Sequence, residues 1–397
     1  MAAAFEFRAP HLIRVGRGVL AQAPADGHAL GIRRALIVAD SYLARIGQVE
    51  RLCGLCRQAG LEVGVYSGVD GEPLVRHVDE GLAEYRAFGG DGVIAIGGGS
   101  AIDTGKAVAV MSTNPGRISD YMAPRRLAAD RPPLVCIPTT AGTGSEVTRA
   151  CIITDPDTKV KMLVSDPRLI PDAAIDDPEL TDSCPPHVTA HTGLDALTHA
   201  IEAHVSRRAN PYSSLLALSA IRLIAGHLRR AFADGSDKEA RNAMMLGQLE
   251  AGLAFSNSSV CLVHGMARPL GAYFHVPHGL ANAILLPTVM AWTLEAAGRH
   301  YSEIARASGC DVEGRSDDEA ARGGAAEVAA LCRDLGLPGL AEAAGGAEKV
   351  RQAAPQMARD ALASGSPANN PRLPGEDDIV ALYERALAAT GATNRKQ

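Results

Sequence analysis

The sequence predicts an α/β layer followed by an all-helical region, and three features of the chain predict it. From about residue 34, short β-branched runs alternate with helical stretches, the pattern of parallel strands joined by crossover helices. At PELTDSCPPH, residues 178–187, prolines and turn formers interrupt that alternation. Beyond it, strand-like runs largely vanish and apolar residues recur at three- and four-residue spacing. We therefore expect two domains, 1–181 and 182–397, since a chain of 397 residues is too long for one typical core.

RRALIVAD is the first clear strand, VERLCGLCRQAG a helix, LEVGVYSG a second strand and, after another helix, DGVIAIGGGS a third. PPLVCIPTT adds a further buried strand, and CIITDPDTKVKMLVSD reads as two strands around a DPDT turn. In the second half, HVTAHTGLDALTHAIEAHVSRR, PYSSLLALSAIRLIAGHLRRAF and DKEARNAMMLGQLEAGLAF read as helices. SGSPANNPRLPGEDD, residues 364–378, reads as a surface loop before a last amphipathic helix, DIVALYERALAAT. There is no internal repeat.

Composition removes several function classes. A net charge of −6 argues against an extended nucleic-acid surface, which would show as a basic excess. No apolar run approaches the roughly 18–20 residues that span a bilayer, and MAAAFEFRAPHLIRVG lacks an export signal's basic and apolar regions. No membrane partner is expected, and the expected location is the cytoplasm. The eight cysteines are scattered rather than clustered as in a small disulfide scaffold. CGLC at 53–56 lies inside a helical pattern with no second CxxC to complete a zinc site, so it is read as structural.

In GVIAIGGGSAIDTGKAVAV a buried strand runs into Gly97, Gly98 and Gly99, and a helix starts near Ser100. Glycines admit close backbone approach, and a helix N-terminus offers unpaired N–H groups and a positive dipole end, which suits a pyrophosphate. A tight turn without ligand is the plainer alternative. A P-loop is excluded because five residues, not four, separate Gly99 from Gly105, and Ala107 follows Lys106 where Ser or Thr is required. GxGxxG is absent as well. Asp40 ends the strand ALIVAD, where a carboxylate can accept from ribose hydroxyls and repel a 2′-phosphate, or can simply cap the next helix. IPTTAGTGSEVT, residues 137–148, is a second polar loop able to wrap a dinucleotide.

A metal site is expected in the second half. Asp195 and His199 in HTGLDALTHAIEAH are four apart, so a helix projects them from one face. His264 and His278 in HGMARPLGAYFHVPHG flank a Gly/Pro-containing stretch that lets two helices converge. One carboxylate and three neutral imidazoles suit Fe²⁺, Zn²⁺ or a similar ion, provided the two segments meet. Glu202 is placed to orient a ligand, while His191, His204 and His275 are weaker ligand candidates.

Taken in order, GGGSAIDTGKA, PTTAGTGSEVT, GLDALTHAIEAH and LVHGMARPLGAYFHVPHGLANAILLP closely resemble the iron-containing (group III) alcohol dehydrogenase family over nearly the whole chain. The resemblance implies the dehydroquinate synthase-like architecture, an α/β dinucleotide-binding domain before an all-α domain. It implies metal ligation by Asp195, His199, His264 and His278, with Fe²⁺ expected and Zn²⁺ as the other choice. For NAD it points to Asp40, Gly97, Gly98, Gly99, Ser100, Asp103, Thr139, Thr140, Thr143, Ser145, Thr148, Lys161 and Leu180. The implied reaction is hydride transfer between nicotinamide and a small primary alcohol or aldehyde, in a homodimer or higher homo-oligomer.

The chain departs from the family pattern at two places. Where members commonly carry HxMxH, position 268 is Arg, which replaces a titratable group with a permanent cation. Arg268 and Phe255 are read as substrate-side residues, with Arg268 placed to pair with an anionic substrate tail, with an acidic residue such as Glu202 or with the cofactor phosphates. The residues 70–75, DGEPLV, also differ from the family's usual loop. The rival readings are an NAD-using lyase or synthase of the dehydroquinate-synthase type, a non-catalytic paralogue and, more distantly, a nucleotide hydrolase.

Overall fold

A computed structural model describes residues 4–158 and 160–390. The described residues form two compact units: Arg8–Ser183, and residues 184–390 together with residues 4–7. Residues 4–7 therefore group with the helical unit instead of with the expected 1–181 domain. The reason is aromatic: the Phe5 and Phe7 rings lie 5.7 and 5.8 Å from that of Tyr212.

In the first unit, β1 (Leu12–Val15), β2 (Arg34–Asp40), β3 (Glu62–Val69), β4 (Gly92–Gly97), β5 (Leu134–Pro138) and β8 (Ala173–Asp176) form a parallel sheet ordered β1-β8-β5-β4-β2-β3. The remaining strands, β6 (Ala150–Asp155) and β7 (Val160–Ser165), pair antiparallel as a separate ribbon. Alternate residues serve opposite faces. Ala35, Ile37, Ile94, Ile96, Val135 and Ile137 pack with Leu52, Cys53 and Cys56, whereas Leu36, Val38, Val93, Ala95 and Cys136 pack with Ile102 and Val108. A sheet covered on both faces explains why its strands read as continuous apolar runs. Cys53 and Cys56 are core thiols, and burial pushes the Cys56 thiol up to about 12.

The second unit contains no strand among the described residues. Its central helix, Pro186–Val205, is buried continuously from Gly193 to Val205. Around it lie the helices Pro211–Ala233, Lys238–Ser256, Leu262–Phe274 and His278–Thr293. Asn210 caps the first of these, accepting from the backbone N–H groups of Tyr212 and Ser213. HGMARPLGAYFHVPHG proves to be two helices: the first ends at His275 in the left-handed region, φ 56°, and the second starts at His278. With the turn Leu294–Ala296, the second is long and apolar enough by composition to cross a membrane, contrary to the reading that no run approaches that length. Here it packs within the helical unit, where Leu280, Leu285, Leu286 and Met290 are buried.

Residues 364–378 are not a purely superficial loop. Ser366–Asn369 forms a 3-10 turn, Arg207 N–H donates to Asn369 C=O, and the buried Asn370 amide donates to Thr293 Oγ1. Polar residues can be buried here because each finds a partner. Pro367 lies against Gly265, where an added Cβ would come within 2.7 Å of Pro367 Cγ.

Candidate functional site

Asp195 and His199 project from one face of the central helix, as four-residue spacing requires. Asp195 Oδ1 lies 3.9 Å from His199 Nδ1, 3.6 Å from His264 Nε2 and 3.9 Å from His278 Nε2. Ligating atoms of Asp195, His199 and His264 all lie within 4.8 Å of one another, and His278 is the exposed member of the four, at 41 %. The two helices come this close because residue 279 is glycine: a Cβ there would lie 2.5 Å from the His191 carbonyl oxygen. His191 thus contributes a backbone contact, while His204 pairs with Glu303 at 2.9 Å and His275 is the helix end.

Glu202 sets the state of His264. Its Oε2 accepts from Cys261 N–H at 2.7 Å and contacts His264 Nδ1 at 2.7 Å, while Oε1 accepts from Val263 N–H at 2.6 Å. A carboxylate only accepts, so Nδ1 carries a proton, and in the neutral imidazole His264 Nε2 presents a lone pair. That Nε2 is buried without a hydrogen-bond partner and faces another acceptor, Asp195 Oδ1. Burial lowers the proton affinity of His264, but Asp195 and Glu202 outweigh it and raise it. Burial would likewise raise the Asp195 carboxyl, and the imidazoles of His199, His278 and His264 instead hold it well below the usual range. Such a locus calls for positive charge, and this N₃O donor set fits a divalent cation.

Asn282 was not singled out in the sequence. Its amide donates to Asp195 Oδ1 at 2.7 Å, and its position four residues after His278 is the signal that would have found it. Phe255 stacks on His199 with centroids 4.2 Å apart and planes 15° from parallel. Arg268 follows His264 by one turn and is partly buried.

The dinucleotide candidates divide into two groups. At the carboxyl ends of the strands, Asp40, Gly97–Gly99, Thr140 and Thr143 meet. A Cβ on Gly97 would lie 3.0 Å from Asp40 Oδ2, one on Gly98 3.6 Å from Thr140 Oγ1, and one on Gly99 2.9 Å from Thr143 Cγ2. β2 turns towards β3 on one side while β4 lies on its other side, so this cluster straddles the sheet's topological switch point, where open α/β sheets bind ligands. The helix Gly99–Met111, which includes Ser100, begins there with no side-chain cap, leaving its first N–H groups for an anion. Asp40 Oδ1 caps its own helix by accepting from Leu43 N–H at 2.8 Å.

The other candidates lie deeper. Asp103 Oδ2 accepts from Ile152 N–H at 2.8 Å, Ser145 also bonds to Asp103, and Thr148 accepts from Lys106 Nζ at 2.9 Å. Burial raises the Asp103 carboxyl to about 6. Thr139 N–H donates to Gly97 C=O at 3.0 Å, Lys161 pairs with Glu72 at 2.5 Å, and Leu180 packs in the core with Ala173 and Ile175.

A family model described as iron-containing alcohol dehydrogenase matches residues 10–178, and one described as the C-terminal part of the Fe-containing alcohol dehydrogenase family matches 189–387. The chain belongs to the iron-containing alcohol dehydrogenase family. It is 42 % identical to lactaldehyde reductase of Escherichia coli (strain K12), over 94 % of this chain and 96 % of that one. The structure of a 1,3-propanediol oxidoreductase superposes with a TM-score of 0.93 at 38 % identity, covering 97 % of this chain and 100 % of the other. A sulfoacetaldehyde reductase of Bifidobacterium kashiwanohense, in complex with NAD⁺, gives 0.88 at 28 % identity, covering 98 % and 100 %. As a member of the iron-containing alcohol dehydrogenase family, the chain is an NAD(H)-linked, metal-dependent alcohol dehydrogenase or aldehyde reductase, and the synthase alternative is not favoured.

Proposed function

We propose that this enzyme interconverts small primary alcohols and aldehydes, with Fe²⁺ held by Asp195, His199, His264 and His278 of the helical unit. The observation that carries the reading is His264 Nε2, buried and facing Asp195 Oδ1, with His199 and His278 also close to that oxygen. Chemically, the bound ion would supply Lewis acidity towards an alcohol or carbonyl oxygen, and NAD the donor or acceptor of hydride. The chain's residues prepare that chemistry. Glu202 keeps the His264 proton on Nδ1, Asn282 fixes Asp195, and Phe255 stacks on one face of His199. In the unit Arg8–Ser183, the Gly97–Gly99 turn and the Gly99–Met111 helix start suit the pyrophosphate, and Asp40 Oδ2 suits a ribose hydroxyl. Thr140 and Thr143 would flank the cofactor directly; Asp103, Thr139, Ser145, Thr148, Lys161 and Leu180 would support the cradle from behind.

The substrates named for the relatives, lactaldehyde and a propanediol, suggest a short chain with a second polar group. Eight free cysteines favour a reducing compartment such as the cytoplasm, and we extend the proposal to a homo-oligomer, for light scattering to check. The central test is NADH oxidation with lactaldehyde after anaerobic reconstitution with Fe²⁺ or Zn²⁺. Activity should vanish on chelation, and Glu202→Gln should lower metal affinity ~10–100-fold. Turnover indifferent to metal would overturn the reading.

A further inference from the structure

We infer that Arg268 is a specificity-determining residue that selects aldehydes carrying an oxyanion tail, such as a carboxylate or sulfonate. The inference rests on the reductase reading above.

Arg268 follows His264 by four residues on the helix Leu262–Phe274, so both share a face, and its charge interacts with Glu202, the carboxylate that holds His264. Burial lowers its pKa, and the charge that opposes this is Glu202. Yet both oxygens of Glu202 are already engaged with Cys261 N–H, Val263 N–H and His264 Nδ1. Among the described residues the Arg268 side chain has no hydrogen-bond partner and no close ion pair, and Glu202 is the charge it feels. The other arginines that the fold encloses behave differently. Arg131 bonds Asp172 Oδ2 at 2.5 Å and two backbone carbonyls besides Ile170 C=O, and Arg241 bonds Thr189 Oγ1 and the carbonyls of Cys184 and Gly235. A guanidinium has five N–H donors in a planar fork that matches carboxylate and related oxyanions, and enclosing it unpaired is unfavourable unless a ligand completes it. The ligand must reach the metal face as well, which points to one molecule with an aldehyde at one end and an anion at the other. The reaction is unchanged: NADH delivers hydride to the carbonyl carbon, a solvent proton goes to the oxygen, and NAD⁺ and the alcohol leave.

The test uses full-length zinc- or iron-loaded enzyme, as wild type, Arg268→Ala, Arg268→Lys and Arg268→His. Two matched pairs are compared by kcat/KM: 4-oxobutanoate against butanal, and 2-oxoethanesulfonate against propanal. Wild type should favour the charged member, and Arg268→Ala should lower the charged-to-neutral ratio ~10–100-fold, the range of a charge-assisted hydrogen bond, with lysine recovering part of it. A second readout is saturation-transfer NMR with ethanesulfonate on the zinc-loaded protein, with signal expected in wild type and absent in Arg268→Ala. An unchanged ratio, or a loss that falls on the KM for NADH instead, overturns the inference while the reductase reading stands. Should no aldehyde be reduced, that reading fails, and the ethanesulfonate signal alone decides for or against an oxyanion site at Arg268.

Discussion

Inside the first unit, Asp103 lies on the helix Gly99–Met111 among Lys106, Ser145 and the Ile152 N–H. Burial raises its carboxyl to about 6, well above the ordinary value of 3.8, with Lys106 pulling the other way. Because the folded pKa exceeds the unfolded one, the native state binds more protons than the unfolded chain between those values. Stability therefore falls as pH rises from about 4 to about 6 on account of this group, and the cost is constant above that. A shift of this size amounts to about 3 kcal/mol. Asp103→Asn keeps an oxygen for the Ile152 N–H and removes the titration. Urea unfolding of both proteins from pH 4 to 7 should show their stability difference moving by about that amount in favour of Asn as pH rises. Parallel curves would mean that Asp103 is ionised in the fold throughout.

Three helices, Pro186–Val205, Leu262–Phe274 and His278–Thr293, make the candidate metal face together, and Gly279 sets the separation of the first and the last. A Cβ at 279 would meet a backbone carbonyl oxygen, His191 O, at 2.5 Å, and backbone cannot swing aside as a side chain can. Gly279→Ala should cost about 1–3 kcal/mol of stability and draw His278 away from Asp195. Titration with Zn²⁺ should then show affinity at least ~10-fold weaker; a variant with native affinity would show that the helices tolerate the separation. The same element pair shows what was legible beforehand. Asp195 and His199 share a helix, so their spacing announced a common face, whereas the meeting of that face with His264 and His278 depends on a close approach that no periodicity encodes. Glu202 was visible as a candidate, but its engagement of Cys261 and Val263 backbone N–H groups links residues about 60 positions apart. The strands from β2 to β5 were readable from their apolar runs. β1 and β8, four residues each, are too short to show a period. Polar composition suggested a surface loop at 364–378, and satisfied Asn side chains defeated that inference.

At the scale of the whole molecule, the division into two units makes a separable claim about two ligands. All four proposed metal ligands belong to the unit beginning at Cys184, and all the proposed NAD contacts belong to Arg8–Ser183. A ligand that binds only the folded state stabilises it by RT ln(1 + [L]/Kd), about 2.7 kcal/mol at one hundred times Kd, and slows the openings of the elements that hold it. Hydrogen exchange should therefore respond differently to each. Zn²⁺ alone should protect amides of Pro186–Val205, Leu262–Phe274 and His278–Thr293, and NAD⁺ alone those of Gly97–Gly99 and the loop 139–148. Arg268→Ala should leave the NAD⁺ pattern as it is, because its partner is the substrate and not the cofactor. Protection by Zn²⁺ centred on the sheet of the first unit would contradict the ligand set. Protection by NAD⁺ confined to the helical unit would contradict the cradle at the switch point, leaving the glycine turn as a strand-to-helix connection only.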